Sequence, residues 1–324
     1  MRLHPDVEDV LHSIAELGFV SVQDGHVAAV PPRGPVPPLS MARWEPTLQY
    51  VRDYASFHAR WSGEFFLCIY DAWREYSRPV AEDLRCYVPW REVERAKFLG
   101  HGSYGEPRFL HRHEDARIYP ELPRQVLTYN RHAGDRNALL IPDVEFITTG
   151  FEPFLAQVNA SDVGWRQKAG KVIWRGARFP ADHARSEFDG PDVVHVRHAA
   201  VALAAAPAFS ACLDASFERT TIADMLTYRY QLDLDGMASA WSGLFWKLSS
   251  NSLVFKPVSH WEQWYYRRLM PGTHYVALPA LEDIRDAIRR CEDDPSSCRA
   301  MVRRANALTA SLTVEYAVAE YMIH

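Results

Sequence analysis

Several features that would settle a function at once are missing from this 324-residue chain. No apolar run approaches the roughly 18 residues of a membrane-spanning helix, so no transmembrane segment is expected. The stretch from Met1 to Gly18 has neither the basic start nor the continuous apolar run of a secretory leader, because Asp6, Glu8, Asp9 and Glu16 interrupt it. No Lys/Arg tract is present, and 36 Lys+Arg against 41 Asp+Glu leave a net charge of −5. Nucleic acid is therefore not an expected partner. Cysteine is scarce and odd in number, with five residues and no CxxC pair. That predicts reduced thiols in a cytoplasmic protein. The sequon Asn159-Ala160-Ser161 would need a secretory route that nothing else supports. Internal repeats are absent too, and proline clusters only between Pro31 and Pro38, an expected extended connector.

What is present reads as an ordinary globular chain, 48% apolar and 24% charged. Its length suggests about two domains and enough buried surface to need no metal or disulfide staple. Apolar spacing predicts a helix over 6–17 with Gly18 as its C-cap, and Asp24-Gly25 predicts a hairpin turn. A helix over 46–61, a buried strand over 64–70 ending at Asp71, and strands at 125–129 and 138–141 follow. Residues 77–123 hold little periodicity. Beyond them, strands at 171–175, 228–234, 252–256 and 274–278 alternate with helices at 193–205, 240–250, 260–269 and 281–290, before a last helix over 296–320. Such alternation predicts an α/β fold with a parallel sheet.

Several motifs have a bland reading that outweighs the sharp one. Gly100 to Gly105 spells G-x-G-x-x-G, but no clear strand precedes it and Pro107 follows, so a glycine loop is the better reading. His111 to Asp115 reads as a polar loop, because no second ligand pair supports a metal site. Phe245-Trp246 and the aromatics of 261–266 read as core. Two segments carry more. Asp233 and Asp235 share one face of a strand end, and the small residues of 236–243 lead into a helix whose first N–H groups could meet a phosphate. Arg175 and Arg178 flank a glycine at the end of another strand, where guanidinium groups suit a phosphate. Together they point to a nucleotide-diphosphate site in the second half of the chain.

These residues also carry a family resemblance. Tyr230 to Gly236, Ser239 to Lys256 and Trp264 to Val276 follow in order, with Ile173-Trp-Arg-Gly-Ala-Arg178 and Ala138 to Asp143 upstream. They resemble the Rumi-type protein O-glucosyltransferases and their bacterial, fungal and viral relatives, glycosyltransferase family 90, which include capsule- and lipopolysaccharide-modifying members. The resemblance implies a GT-B fold, two Rossmann-like domains facing a central cleft, and an inverting, metal-free transfer of glucose or xylose from a UDP-sugar to a glycan or protein hydroxyl. It implies Asp71 as the catalytic base. The candidate donor-binding residues are Arg175, Gly176, Ala177, Arg178, Arg185, Asp235, Gly236, Met237, Ala238, Ser239, Ala240, Trp241, Ser242 and Lys247. Two positions depart from the family pattern. Ala177 replaces a serine, and Ser242 stands where animal members have an arginine, which shifts weight to Arg178, Arg185 and the backbone amides. No endoplasmic-reticulum retention tail follows Tyr321, so an EGF-like acceptor does not carry over.

The expected organisation is an acceptor-side domain over 1–165 holding the base, a UDP-sugar domain over 166–300, and a C-terminal helix over 301–324 with the first domain as its candidate partner. Two alternatives stay open: a metal-dependent GT-A transferase using Asp233 and Asp235, and a catalytically decayed module that binds glycans or nucleotide sugars.

Overall fold

The computed structural model describes residues 17–33, 36, 38–69, 73–77, 85–89, 125–133, 138–178, 196–236, 238–239, 241–259 and 261–319. The expected helix over 6–17, the glycine loop at 100–105 and the polar cluster at 111–115 lie outside them. The chain forms two units. Unit 1 combines Met1–Thr148, His260–Trp264 and Val314–His324, and unit 2 combines Thr149–Ser259 and Tyr265–Thr313. The division falls at Thr148, ahead of the sequence-based boundary at 165.

In unit 1, β1 (Gly18–Gln23) and β2 (His26–Val30) form a hairpin. Its turn residues Asp24 and Gly25 take φ of 49° and 76°, the left-handed pair that a tight hairpin demands. Next come α1 (Pro38–Met41), α2 (Trp44–Phe57) and β3 (Gly63–Leu67). Short strands β4 (Trp73–Ser77) and β5 (Arg85–Pro89) pair with each other. The sheet is completed by β6 (Gln125–Thr128) and, after β7 (Asn130–His132), by β8 (Ala138–Leu140), giving the order β2-β1-β3-β6-β8. It is mixed: β3, β6 and β8 are parallel, whereas β1 runs against β2 and β3. The described part of unit 1 thus departs from an all-parallel Rossmann-like sheet.

Helix α2 buries Trp44, Leu48, Val51 and Ala55, one stripe at helical spacing. Gly18 begins β1, and Trp44 explains the glycine. A Cβ at position 18 would lie 2.0 Å from the Trp44 ring. Two later segments return to unit 1. Helix α10 (Val314–Ala319) is tied by Tyr50 Oη donating to Ala317 O at 3.0 Å and by His58 Nε2 at 2.9 Å from Val318 O. Strand β13 (Trp261–Gln263) pairs antiparallel with β7.

That strand overturns the helix expected over 260–269. The aromatics at helical spacing serve two cores instead of one face: Trp264 packs on Phe146 in unit 1 (centroids 4.8 Å apart), while Tyr265 packs on Phe245 in unit 2 (5.8 Å). Only a 3₁₀ turn, Tyr266–Arg268, forms there. Their reading as core is correct, since Phe245, Trp246, Trp261, Trp264 and Tyr265 are all buried.

Unit 2 is built on β9 (Ala169–Arg175), β10 (Leu213–Ser216), β11 (Tyr228–Leu232), β12 (Leu253–Pro257) and β14 (Val276–Leu278). Their order is β10-β9-β11-β12-β14, and every pairing is parallel, as the alternation predicts. The helices are α3 (Val144–Thr149), which bridges the division, α4 (Glu152–Ser161), α5 (Val196–Ala205), α6 (Ile222–Leu226), α7 (Trp241–Leu248), α8 (Ile284–Asp293) and α9 (Pro295–Ser311). Val172 and Trp174 face one apolar layer and Ile173 faces the other, so β9 is apolar on both sides, as a covered parallel strand must be. The edge strand β10, only four residues long with a charged Asp214, was not expected. The last helix breaks at Leu312–Thr313 instead of running unbroken from 296 to 320.

The expectation of five reduced thiols is also corrected. Cys291 and Cys298 form a disulfide with Cα atoms 5.7 Å apart, joining the end of α8 to the start of α9. Their spacing of seven matches none of the familiar cysteine patterns but suits a helix–turn–helix corner. Among the described residues no helix is long and apolar enough to cross a membrane. Thiol titration of protein purified without reductant and then denatured is expected to find two thiols fewer than after reduction. Equal counts would remove the disulfide.

Candidate functional site

The strand order of unit 2 creates a crevice. From β9 the chain passes through α5 to β10 on one side, while from β11 it passes through α7 to β12 on the other. Where neighbouring parallel strands send their connections in opposite directions, the loops at their carboxyl ends separate, and ligands of open α/β sheets bind there. The described residues of both segments singled out in the sequence lie at this point: Arg175 ends β9 with Gly176, Ala177 and Arg178 after it, and Asp233 to Gly236 follow β11.

A residue that the sequence did not single out ties them together. Arg197, near the start of α5, donates from Nε to Asp235 O at 2.8 Å and from Nη1 to Ala177 O at 3.3 Å. Its guanidinium lies 5.7 Å from the Trp174 ring. Burial lowers its proton affinity, and the nearby Asp235 and Asp233 carboxylates oppose that. Nothing in the local sequence marks it, since both acceptors are backbone carbonyls far along the chain.

The carboxylates are framework rather than open ligands. Asp233 is fully buried, with Lys247 Nζ 2.9 Å from one oxygen and Lys256 Nζ 3.3 Å from the other. Lys256 also reaches Asp235 at 3.1 Å, and Ser259 Oγ donates to the second Asp235 oxygen. Burial alone would raise the Asp233 carboxyl, but the two ammonium groups outweigh it and hold it below the usual range. The Lys256 ammonium is shifted upward, its burial overcome by Asp235 and Asp233. A divalent cation would have to displace these ammonium groups. Among the described residues no cluster of three or more metal-ligating side chains is present.

The candidate donor residues divide by what they already hold. Lys247 spends its ammonium on Asp233 and on Leu232 O at 3.1 Å. Arg175 is committed to strand β10, with Nη1 on Asp214 O at 2.9 Å and Nη2 on the Asp214 carboxylate at 2.8 Å. Gly176 answers to packing: a Cβ there would approach Trp174 Cζ2 to 2.5 Å. Gly236 N donates to Ala238 O at 2.8 Å, closing a tight turn in which Ala238 and Ser239 are buried. Trp241 and Ser242, half-buried, open α7. Ala177 and Arg178 are exposed. Arg178 lies 4.7 Å above the Phe217 ring and has no carboxylate partner among the described residues. Asp71, Arg185, Met237 and Ala240 lie outside the described residues.

In unit 1, β8 is followed by Ile141-Pro142-Asp143, where a buried carboxylate stands out. Asp143 Oδ1 accepts from Glu145 N and Phe146 N, each at 3.1 Å, capping α3. Its Oδ2 is buried without a hydrogen-bond partner. Burial raises the carboxyl to about 7 in spite of those two bonds.

Comparison with known proteins shows the family. The model of the family described as glycosyl transferase family 90 matches residues 148–324, and the chain belongs to that family. A zebrafish (Danio rerio) protein, protein O-glucosyltransferase 2, is 26% identical over 133 residues, which is 40% of this chain and 25% of that protein. The chain thus matches only about a quarter of that relative's length. A solved structure, sucrose-phosphate synthase from Thermosynechococcus elongatus, is 11% identical and aligns over 64% of this chain and 53% of its own, with a TM-score of 0.32, too low to define a shared architecture.

Two outcomes follow from the buried charges. Asp233→Asn leaves two buried ammonium groups short of their counter-charge and is expected to cost about 3–5 kcal/mol in urea unfolding. A loss under 1 kcal/mol would refute the framework role. For Asp143, whose folded pKa lies above the ordinary 3.8, the native state keeps a proton that the unfolded chain has lost between about pH 4 and 7. Stability falls as pH rises through that window. Asp143→Asn is expected to flatten the slope, and an unchanged slope in the variant would contradict it.

Proposed function

We propose that the chain is an inverting glycosyltransferase of GT-B type that moves glucose or xylose from a UDP-sugar to a hydroxyl of a glycan or protein serine. One observation carries the reading. At the point where β9 and β11 send their connections apart, Arg197 ties a segment ending in the exposed Arg178 to a glycine turn that opens a helix. Such a crevice suits a diphosphate, because guanidinium groups and helix-start N–H groups converge on negative charge. Membership of a glycosyltransferase family supports the same use.

In the proposed reaction Asp71 accepts the proton of the acceptor hydroxyl as its oxygen attacks the anomeric carbon from the face opposite UDP. The bond to the diphosphate breaks, and its electron pair leaves with the phosphate oxygen. Arg178 and Arg185, with the N–H groups of 237–241, meet that developing charge. Arg197, Lys247, Lys256 and Asp233 act through position, holding the two loops in register. The transfer is proposed to need no metal, supported by the ammonium groups on both Asp233 oxygens. That same pairing weighs against the GT-A alternative.

Calorimetric titration with UDP, with and without EDTA, tests the donor site alongside a transfer assay. The wild type is expected to bind UDP equally in both conditions. Arg178→Ala is expected to weaken binding by about tenfold or more. Asp71→Asn is expected to keep UDP affinity and lose about 10²–10⁴ in transfer. No UDP binding by the wild type would overturn the proposal, and binding abolished by EDTA would overturn its metal-free form.

A further inference from the structure

At the other end of the unit 2 sheet, beside the amino-terminal ends of β9 and β11, lies a cavity of about 510 Å³. Trp165, Arg166, Arg229, Glu292, Ser296 and Arg299 line it. Its volume falls in the range of small-molecule sites, roughly 300–1,000 Å³. Three guanidinium groups face one carboxylate. Neither Arg166 nor Arg299 has an ion-pair partner among the described residues; Arg299 only donates from Nε to Pro295 O at 3.3 Å. Arg229 lies 5.6 Å from the Trp165 ring and donates to Lys168 O at 3.2 Å. Arg229 forms an ion pair with Glu292 at 3.6 Å, longer than a hydrogen bond, and the Glu292 side chain is 54% exposed. The lining therefore holds two more guanidinium groups than carboxylates, and Arg166 and Arg299 are the two without an ion-pair partner among the described residues.

Gly170 lies against that pair. A Cβ on Gly170 would come within 3.3 Å of Glu292 Oε1 and 3.4 Å of Arg229 Nη1. Guanidinium groups match the paired oxygens of phosphate and carboxylate, and an indole wall suits a ring carried beside them.

We propose that this cavity binds a monosaccharide bearing a phosphate or carboxylate, at a site separate from the donor crevice. The choice of a sugar rests on membership of a glycosyltransferase family, not on the donor assignment. In the bound state Arg166, Arg229 and Arg299 share the oxyanion, and Glu292 swings out toward solvent, relieving its repulsion.

The test is calorimetric titration of the whole chain with glucose 6-phosphate, glucuronate and glucose, with UDP titrated in parallel. Saturable binding of glucose 6-phosphate or glucuronate is expected, and whichever binds tells phosphate from carboxylate. The paired substitution Arg166→Gln and Arg299→Gln is expected to weaken that binding at least tenfold while UDP affinity stays unchanged. Glu292→Gln is expected to tighten it several-fold, a gain that a misfolded variant could not produce. Absence of binding by both charged sugars, glucose binding as tightly as either, or loss of affinity in Glu292→Gln would each overturn the proposal. UDP binding by the same preparations keeps these outcomes apart from any failure of the donor site.

Discussion

Burial of Asp233 among two lysines is the constraint on which the rest of unit 2 depends. A lone carboxylate at the carboxyl end of a covered strand would be prohibitively costly, so its ionised form persists only because ammonium groups arrive from two different elements. Lys247 comes from α7 and Lys256 from β12, so the charge cluster joins the helix after β11 to the neighbouring strand. Lys256 then passes the constraint to Asp235, and Ser259 holds that carboxylate from the chain beyond β12. Arg197 completes the set from the β9 side by capturing the Asp235 carbonyl. The turn at Gly236 therefore begins from an anchored residue, the preorganisation that the proposed donor site would use.

The parallel sheet of unit 2 was legible because its signal is periodic. Short apolar strands alternate with helices, and the central strands β9, β11 and β12 bury residues on both faces. The hairpin at Asp24-Gly25 was legible because only a few residue pairs accept two left-handed conformations in a row. Asp233 and Asp235 were legible as letters yet ambiguous as chemistry. A D-x-D pair spells the same whether it waits for a cation or already has two, and the lysines that decide it lie 14 and 23 residues away. Arg197 was illegible because capture of backbone carbonyls leaves no trace in residue type. The false helix at 260–269 shows the same limit from the other side, since aromatic spacing cannot reveal that Trp264 and Tyr265 belong to different cores.

The match to the family and the anatomy of the chain coincide at one place. The family model begins at residue 148 and unit 2 at Thr149, so the shared part starts with the unit that contains the crevice and then continues into α10. Asp71 precedes the part that the family model matches, so its proposed role rests on resemblance alone, whereas the proposed crevice also rests on geometry.

The threading of unit 1 has a consequence for how the protein is made. Its hairpin, helix α2 and first strands leave the ribosome early, but β7 gains its partner strand only when 261–263 emerge, and Tyr50 and His58 meet their acceptors only with 317 and 318. Unit 1 therefore cannot close before synthesis has passed residue 318, although it began first. In the interval, the parts of α2 that receive α10 stay bare while unit 2 is being translated. Nascent chains arrested before that point are expected to be the form that needs a chaperone.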